Sequence, residues 1–283
     1  LNTGYAYICI PLFCKAPAFD GRIFWLENKT TFMLPISDDN SDRKTFPVVN
    51  LIFIVLNILV FIVYQQWGTN SSFTYSYATV PAEILSGHDI VTDAIIVHDP
   101  VSGRSMQIPG LGVTAIPVWL TLLTSMFMHG GIAHLAGNML YLYIFGDNIE
   151  DKLGHVRYFF FYLLCGILAS LTHVFTDYLF GENHLIPSLG ASGAISGVMG
   201  AYLLFFPTRR VTVFLLFFFI HVPAFIVLGS WILLQLANGT GYLGGSEASG
   251  IAYAAHIGGF IAGILLVKKF LPTNAVNSRR RVW

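Results

Sequence analysis

The run Gly190-Ala191-Ser192-Gly193 heads one apolar stretch of the chain, and Ala255-His256 lies near the head of another. A hydroxyl flanked by glycines can be approached closely by a second backbone, and a lone imidazole in an apolar helix must find a hydrogen-bonding partner or a use. Ser192 and His256 therefore have the types needed for a nucleophile and its general base, and the chemistry they point to is peptide-bond hydrolysis inside a bilayer. His134 and Asn138, four residues apart, share one face of a third apolar stretch.

The elements that must position these groups are membrane helices. Of 283 residues, 55% are hydrophobic and 11% charged, with a mean hydropathy of +0.67, well beyond the soluble average. Six apolar stretches are candidate spans: 48–67, 131–145, 156–175, 192–207, 211–236 and 251–271. From Met33 onward, one alternate set of flanks holds Arg43, Lys44, Lys152, Arg157, Arg209, Arg210, Lys268, Lys269 and Arg279 to Arg281, and the other only Arg104. The positive-inside rule then puts both termini in the cytoplasm. The formal net charge of zero hides this segregation, and no basic face for nucleic acid is present.

On that orientation the second, fourth and sixth stretches run from outside to inside, with their polar residues in the first turns. Ser192 opens the fourth, and His256 is five residues into the sixth, about 7 Å deep at 1.5 Å per residue. Gly193 and Gly197, and Gly259 and Gly263, form small-xxx-small pairs that let helices come close one turn below the candidate catalytic pair. No Asp or Glu falls inside the fourth to sixth stretches, which favours a Ser-His dyad whose imidazole is oriented by packing. His221 is expected mid-span in the fifth helix, as a structural or interhelical residue. His129 is expected to support the outer end of the second helix or to sit at the interface.

Outside the spans, residues 1–32 read as an upstream extension before a start at Met33, and 33–47 as a cytoplasmic lead. Residues 68–118, rich in proline and glycine, read as a partly ordered outer loop, and 272–283 as a basic cytoplasmic tail. Cys9, Cys14 and Cys165 lack the spacing of metal ligands or a disulfide framework, and there is no HExxH; no metal or cofactor is expected.

Three segments resemble the signatures of bacterial rhomboid intramembrane serine proteases: Gly190 to Ala194, His129 to Asn138 with its His134 and Asn138, and Ala255 to Gly259 followed by Gly263. They occur in the family's order, and the resemblance covers residues 33–271. It implies an all-α, six-transmembrane-helix bundle with a long first outer loop around a water-filled cavity. It further implies an acyl-enzyme mechanism with Ser192 as nucleophile and His256 as base. Oxyanion donors would be His134, Asn138 and the Ser192 backbone, with Gly190, Gly193, Gly259 and Gly263 in support. Implied substrates are single-span membrane proteins cut near the outer end of their helix, in a bacterial cytoplasmic membrane. A catalytically inactive rhomboid-like protein that binds membrane clients is the alternative. Two positions depart from the family: Ser196 stands one turn after the serine, where an aromatic is common, and Trp119 is followed by Leu120 rather than arginine. The charged run Glu150 to Gly154 resembles the family's turn after the second helix, or else is a solvated loop.

Overall fold

The computed structural model describes residues 34–98, 105–181, 184–239 and 247–272; the expectations for 1–32 and for the tail beyond 272 lie outside them. Each of the six apolar stretches carries a helix. The first is α1 (Val48–Leu59), extended by a π-helical turn over Val60–Tyr64. The others are α5 (Ile132–Leu153), α6 (His155–Phe180), α7 (Ser192–Phe205), α8 (Ala224–Gly239) and α9 (Glu247–Leu266). Among the described residues, His155–Phe180 and Tyr253–Phe270 are each long and apolar enough to cross a membrane. A helical stretch Val118–Phe127, containing α4 (Thr121–Thr124), joins α5 through an 81° bend, and the two pass the same test together.

Helix α7 is only 14 residues long, about 21 Å at 1.5 Å per residue and short of a 30 Å hydrocarbon core. Its burial removes the need for a match, because every residue from Gly193 to Tyr202 is enclosed by protein. Helices α5, α6, α8 and α9 surround it. The core beside it includes Phe145, Phe161, Cys165 and Phe260, so Cys165 is a buried packing residue.

The fifth stretch differs most from its sequence reading. Residues 211–236 do not form one span: β4 (Arg210–Leu215) and β5 (Phe218–Pro223) make a hairpin, and the helix begins only at Ala224. A continuous apolar run reads alike as a buried helix or a strand; here valine and phenylalanine favour the strand and Pro223 closes it. His221 is accordingly an exposed strand residue 3.1 Å from Thr212 Oγ1, not a mid-span group. The lead segment is also structured. Strand β1 (Leu34–Asp38) pairs antiparallel with β4, giving the sheet order β1-β4-β5, with Asp38 opposite Val211 and a register shift between Pro35 and Ser37. The helical bundle thus carries a sheet at the end remote from Ser192.

The outer segment is more ordered than expected. It holds α2 (Ser71–Tyr77), α3 (Pro81–Ser86) and a hairpin of β2 (Ile95–His98) with β3 (Ser105–Ile108). Thr79 exchanges both backbone hydrogen bonds with Ser188, at 3.0 and 2.8 Å, and donates its hydroxyl to Ser125 Oγ at 2.9 Å.

At the opposite end, acidic residues fasten the helix entries. Glu150 is fully buried and accepts the N–H groups of Val49 at 2.9 Å and Asn50 at 2.7 Å, capping the otherwise unsatisfied first turn of α1. Asp151 accepts from Lys44 and Thr45. The charged run is therefore a built junction rather than a solvated loop. Gly154, at φ +79°, supplies the left-handed turn from α5 into α6 that a side chain would strain.

Strand β1 is held by Asp38, whose Oδ2 accepts from Tyr202 Oη at 2.5 Å and Asn148 Nδ2 at 2.9 Å. Arg209 donates to Asn148 and pairs with Asp42. Burial raises the Asp38 carboxyl to about 7, against the opposing Tyr202 hydrogen bond. Below that value the folded state keeps a proton that the unfolded chain has released, so this contribution to stability is lost as pH rises through about 7. Thermal unfolding between pH 5.5 and 8 should show the midpoint falling with pH in the wild type, and Asp38→Asn should flatten that fall; an unchanged slope in the variant would refute the assignment.

Candidate active site

Ser192 is the first residue of α7, preceded by Gly190 at φ +128°. That backbone conformation suits glycine alone, and a Cβ there would also lie 3.0 Å from His134 Cε1 and 3.1 Å from its Nε2. Gly190 N–H donates to Ser125 O at 2.9 Å, next to the Thr79–Ser188 bridge, so the outer segment holds the approach to the serine. As an N-terminal helix residue, Ser192 leaves its own N–H without an intrahelical acceptor, at the positive end of the α7 dipole.

Ser192 Oγ lies 2.8 Å from His256 Nε2. The contact exists because α7 and α9 meet backbone to backbone. A Cβ on Gly259 would sit 2.1 Å from Gly193 O, and one on Gly263 only 1.9 Å from Gly197 O. Helix α6 closes on the same face, leaving a Gly193 Cβ 2.6 Å from Ala169 Cβ and a Gly197 Cβ 2.5 Å from Cys165 Cβ. The paired glycines read from sequence are the contact itself, and Gly200, whose Cβ would meet Phe260 O at 2.3 Å, extends it.

His256 is held by more than packing. Its Nδ1 is 2.8 Å from Oε1 of Gln235 on α8, and both side chains are buried, at 3% and 2% exposure. The indole of Trp231, one turn earlier on α8, stands 5.8 Å from the imidazole, centroid to centroid. Ser196 takes no part, since its hydroxyl bonds back to Ser192 O at 2.6 Å. The expected reliance on packing alone is thus corrected, with Gln235 and Trp231 as the residues that sequence reasoning missed. The available signal was an amide inside the apolar run of α8, four residues after a tryptophan and three before Asn238 near the helix end.

His134 Nδ1 accepts the Gly130 N–H at 3.2 Å. The proton is then on Nε2, which leaves a ring donor beside Gly190, two residues before Ser192. Asn138 follows one turn on, 1% exposed, and its Nδ2 has no hydrogen-bond partner among the described residues. His129 is fully buried and its ring stands 5.1 Å from that of His134. Its backbone exchanges hydrogen bonds with the Gln65 amide at 2.9 and 3.0 Å, a supporting role at the α5 entry.

Between Ser192, His256, Ser125, Gly166 and Ser188 lies a cavity of about 20 Å³, room for one water molecule. A hydroxyl on an imidazole at a helix N-terminus, with space for water, has the parts required for acyl transfer. Among the described residues no group of His, Cys, Asp and Glu is arranged to hold a metal ion.

Comparison with known proteins gives the same neighbourhood. The Rhomboid domain family model matches residues 117–273. Rhomboid protein 1, mitochondrial, of Saccharomyces cerevisiae is 33% identical over 147 residues, 52% of this chain and 40% of that protein. Rhomboid protease GluP of Bacillus subtilis is 36% identical over 146 residues, 51% of this chain and 25% of its own. Putative rhomboid protease YdcA of the same organism is 32% identical over 119 residues, 42% of this chain and 52% of its own. The matches thus span about half or less of each relative.

The helix contact makes a prediction independent of chemistry. Gly263→Val must drive α7 and α9 apart, and overpacking of this kind costs about 1–3 kcal/mol or more, whereas Gly229→Ala on α8, where a Cβ meets nothing within 4 Å, should cost nothing. Thermal unfolding in detergent checks both; a Gly263→Val midpoint equal to the wild type's would contradict the close approach.

Proposed function

From the premise that this chain belongs to the rhomboid family of multi-pass membrane proteins, we propose that it is an intramembrane serine endopeptidase. The observation that carries this reading is the partly buried 2.8 Å contact between Ser192 Oγ and His256 Nε2. Ser192 Oγ attacks the scissile carbonyl while His256 Nε2 takes its proton. The tetrahedral oxyanion is received by the Ser192 N–H, the His134 Nε2–H and the Asn138 amide. His256 then protonates the leaving amine to give the acyl-enzyme, and activates the water that hydrolyses it.

The substrates we propose are single-span membrane proteins, cut near the outer end of their helix. A helical peptide bond is shielded by its own hydrogen bonds, so the segment must unwind to reach the serine. The 20 Å³ cavity is too small for a peptide, and helices must part to admit one. The charge bias across the flanks supports both chain ends lying on the cytoplasmic face. The bacterial relatives favour the cytoplasmic membrane as the setting, although the yeast relative is named mitochondrial.

Cleavage of a single-span substrate in liposomes tests the proposal. Wild type should cut it, Ser192→Ala and His256→Ala should not, and Asn138→Ala should lose about 10²–10³ in kcat, the usual cost of one oxyanion donor, with its unfolding midpoint unchanged. Wild-type protein that is folded yet inert toward a panel of such substrates would overturn the protease reading in favour of client binding.

A further inference from the structure

A histidine acts as base through Nε2 only if its remaining proton sits on Nδ1 and the ring stays turned toward the nucleophile. In serine hydrolases of the triad type a buried carboxylate enforces both conditions. Here none of the described acidic groups bonds to His256, and the atom that meets Nδ1 is the Gln235 amide oxygen at 2.8 Å. An amide oxygen only accepts, so the Nδ1 proton is fixed in place and the Nε2 lone pair is left facing Ser192 Oγ, also at 2.8 Å. The two bonds hold the ring from opposite sides, and Trp231 covers one face.

We propose that Gln235 is the positioning residue of the base: an uncharged third member that sets the tautomer and direction of His256 without ever taking a proton. This rests on the protease reading of Ser192 and His256. The proton balance is simple. The Oγ proton passes to Nε2, the Nδ1 proton stays where it is, and the imidazolium so formed is stabilised by the amide dipole rather than by a formal charge. A neutral orienter suits its location, since an ionised carboxylate buried on α8 among Leu228, Trp231 and Ile232 would carry a large desolvation cost before any substrate is bound. It also explains how Ser196 is tolerated where an aromatic would otherwise support the histidine: the support comes from α8 rather than α7.

Two readouts test it, one of them independent of proteolysis. In 15N NMR of histidine-labelled protein, with the His256 signals assigned by their loss in His256→Ala, the wild type should show Nδ1 protonated and Nε2 bare at neutral pH. In Gln235→Met, which keeps the apolar volume and removes the acceptor, the two tautomers should mix. An unchanged tautomer in Gln235→Met would overturn the proposal whether or not the protein proves to be a protease. In the cleavage assay, loss of orientation should lower kcat by about 10²-fold, the scale of a small misplacement of reacting groups, with KM nearly unchanged. Gln235→Glu, which enters this apolar setting as the neutral acid and still offers a carbonyl oxygen at the same reach, should recover most of the lost kcat. Equal losses in Gln235→Met and Gln235→Glu, or a change confined to KM, would mark Gln235 as structural and defeat the proposal.

Discussion

The structure depends on the approach of α7 to α9. Carbonyl oxygens of Gly193 and Gly197 lie where Cβ atoms of Gly259 and Gly263 would have to be, and that closeness lets a short hydroxymethyl side chain on one helix touch an imidazole on the next. In hydrocarbon no hydrophobic effect draws two apolar helices together, so dispersion across a small-residue face must do it. Shape is therefore the organising force. The remaining helices can be read as the casing that keeps α7 enclosed, which in turn permits it to be shorter than the bilayer is thick.

Two outlying structures steady this contact from its ends. The outer segment reaches Ser192 through the Thr79–Ser188 backbone bridge, the Thr79–Ser125 hydroxyl contact, the Ser125 carbonyl and Gly190, a hydrogen-bonded path to the start of α7. At the far end Tyr202, near the close of the same helix, is tied to Asp38 of the β1 strand. A single buried helix is thus clamped at both ends by segments that a hydropathy profile treats as loops. The site itself is closed around a space for one water, so a peptide would enter only with movement of surrounding elements, while the Ser192–His256 pair stands already formed.

Much of this was legible in the sequence, and for physical reasons. The Ser192, His256, His134 and Asn138 constellation stood out because polar side chains in apolar helices are costly and so carry information; of these, Ser192 and His256 meet at 2.8 Å. The glycine pairs also predicted their own contact. What was not legible shares a cause. Residues 211–223 are apolar apart from Thr212 and His221, and hydropathy cannot separate a strand from half a helix, so the β4–β5 hairpin and the partnership of β1 with β4 were hidden. Gln235 was overlooked because one amide in α8 has no motif around it, and its meaning lies in a distance to another helix. Glu150 looked like a solvated charge because burial at the α1 entry depends on residues 100 positions away.

The most direct measurement of the central claim, that His256 activates Ser192 across the α7–α9 contact, is the mapping of a fluorophosphonate adduct by mass spectrometry in membranes. In that reaction Ser192 Oγ would displace fluoride from phosphorus as its proton passes to His256. The account predicts a phosphonylated Ser192 in the wild type and none in a folded His256→Ala protein. An adduct on a different serine, or equal labelling of Ser192 without the histidine, would contradict it.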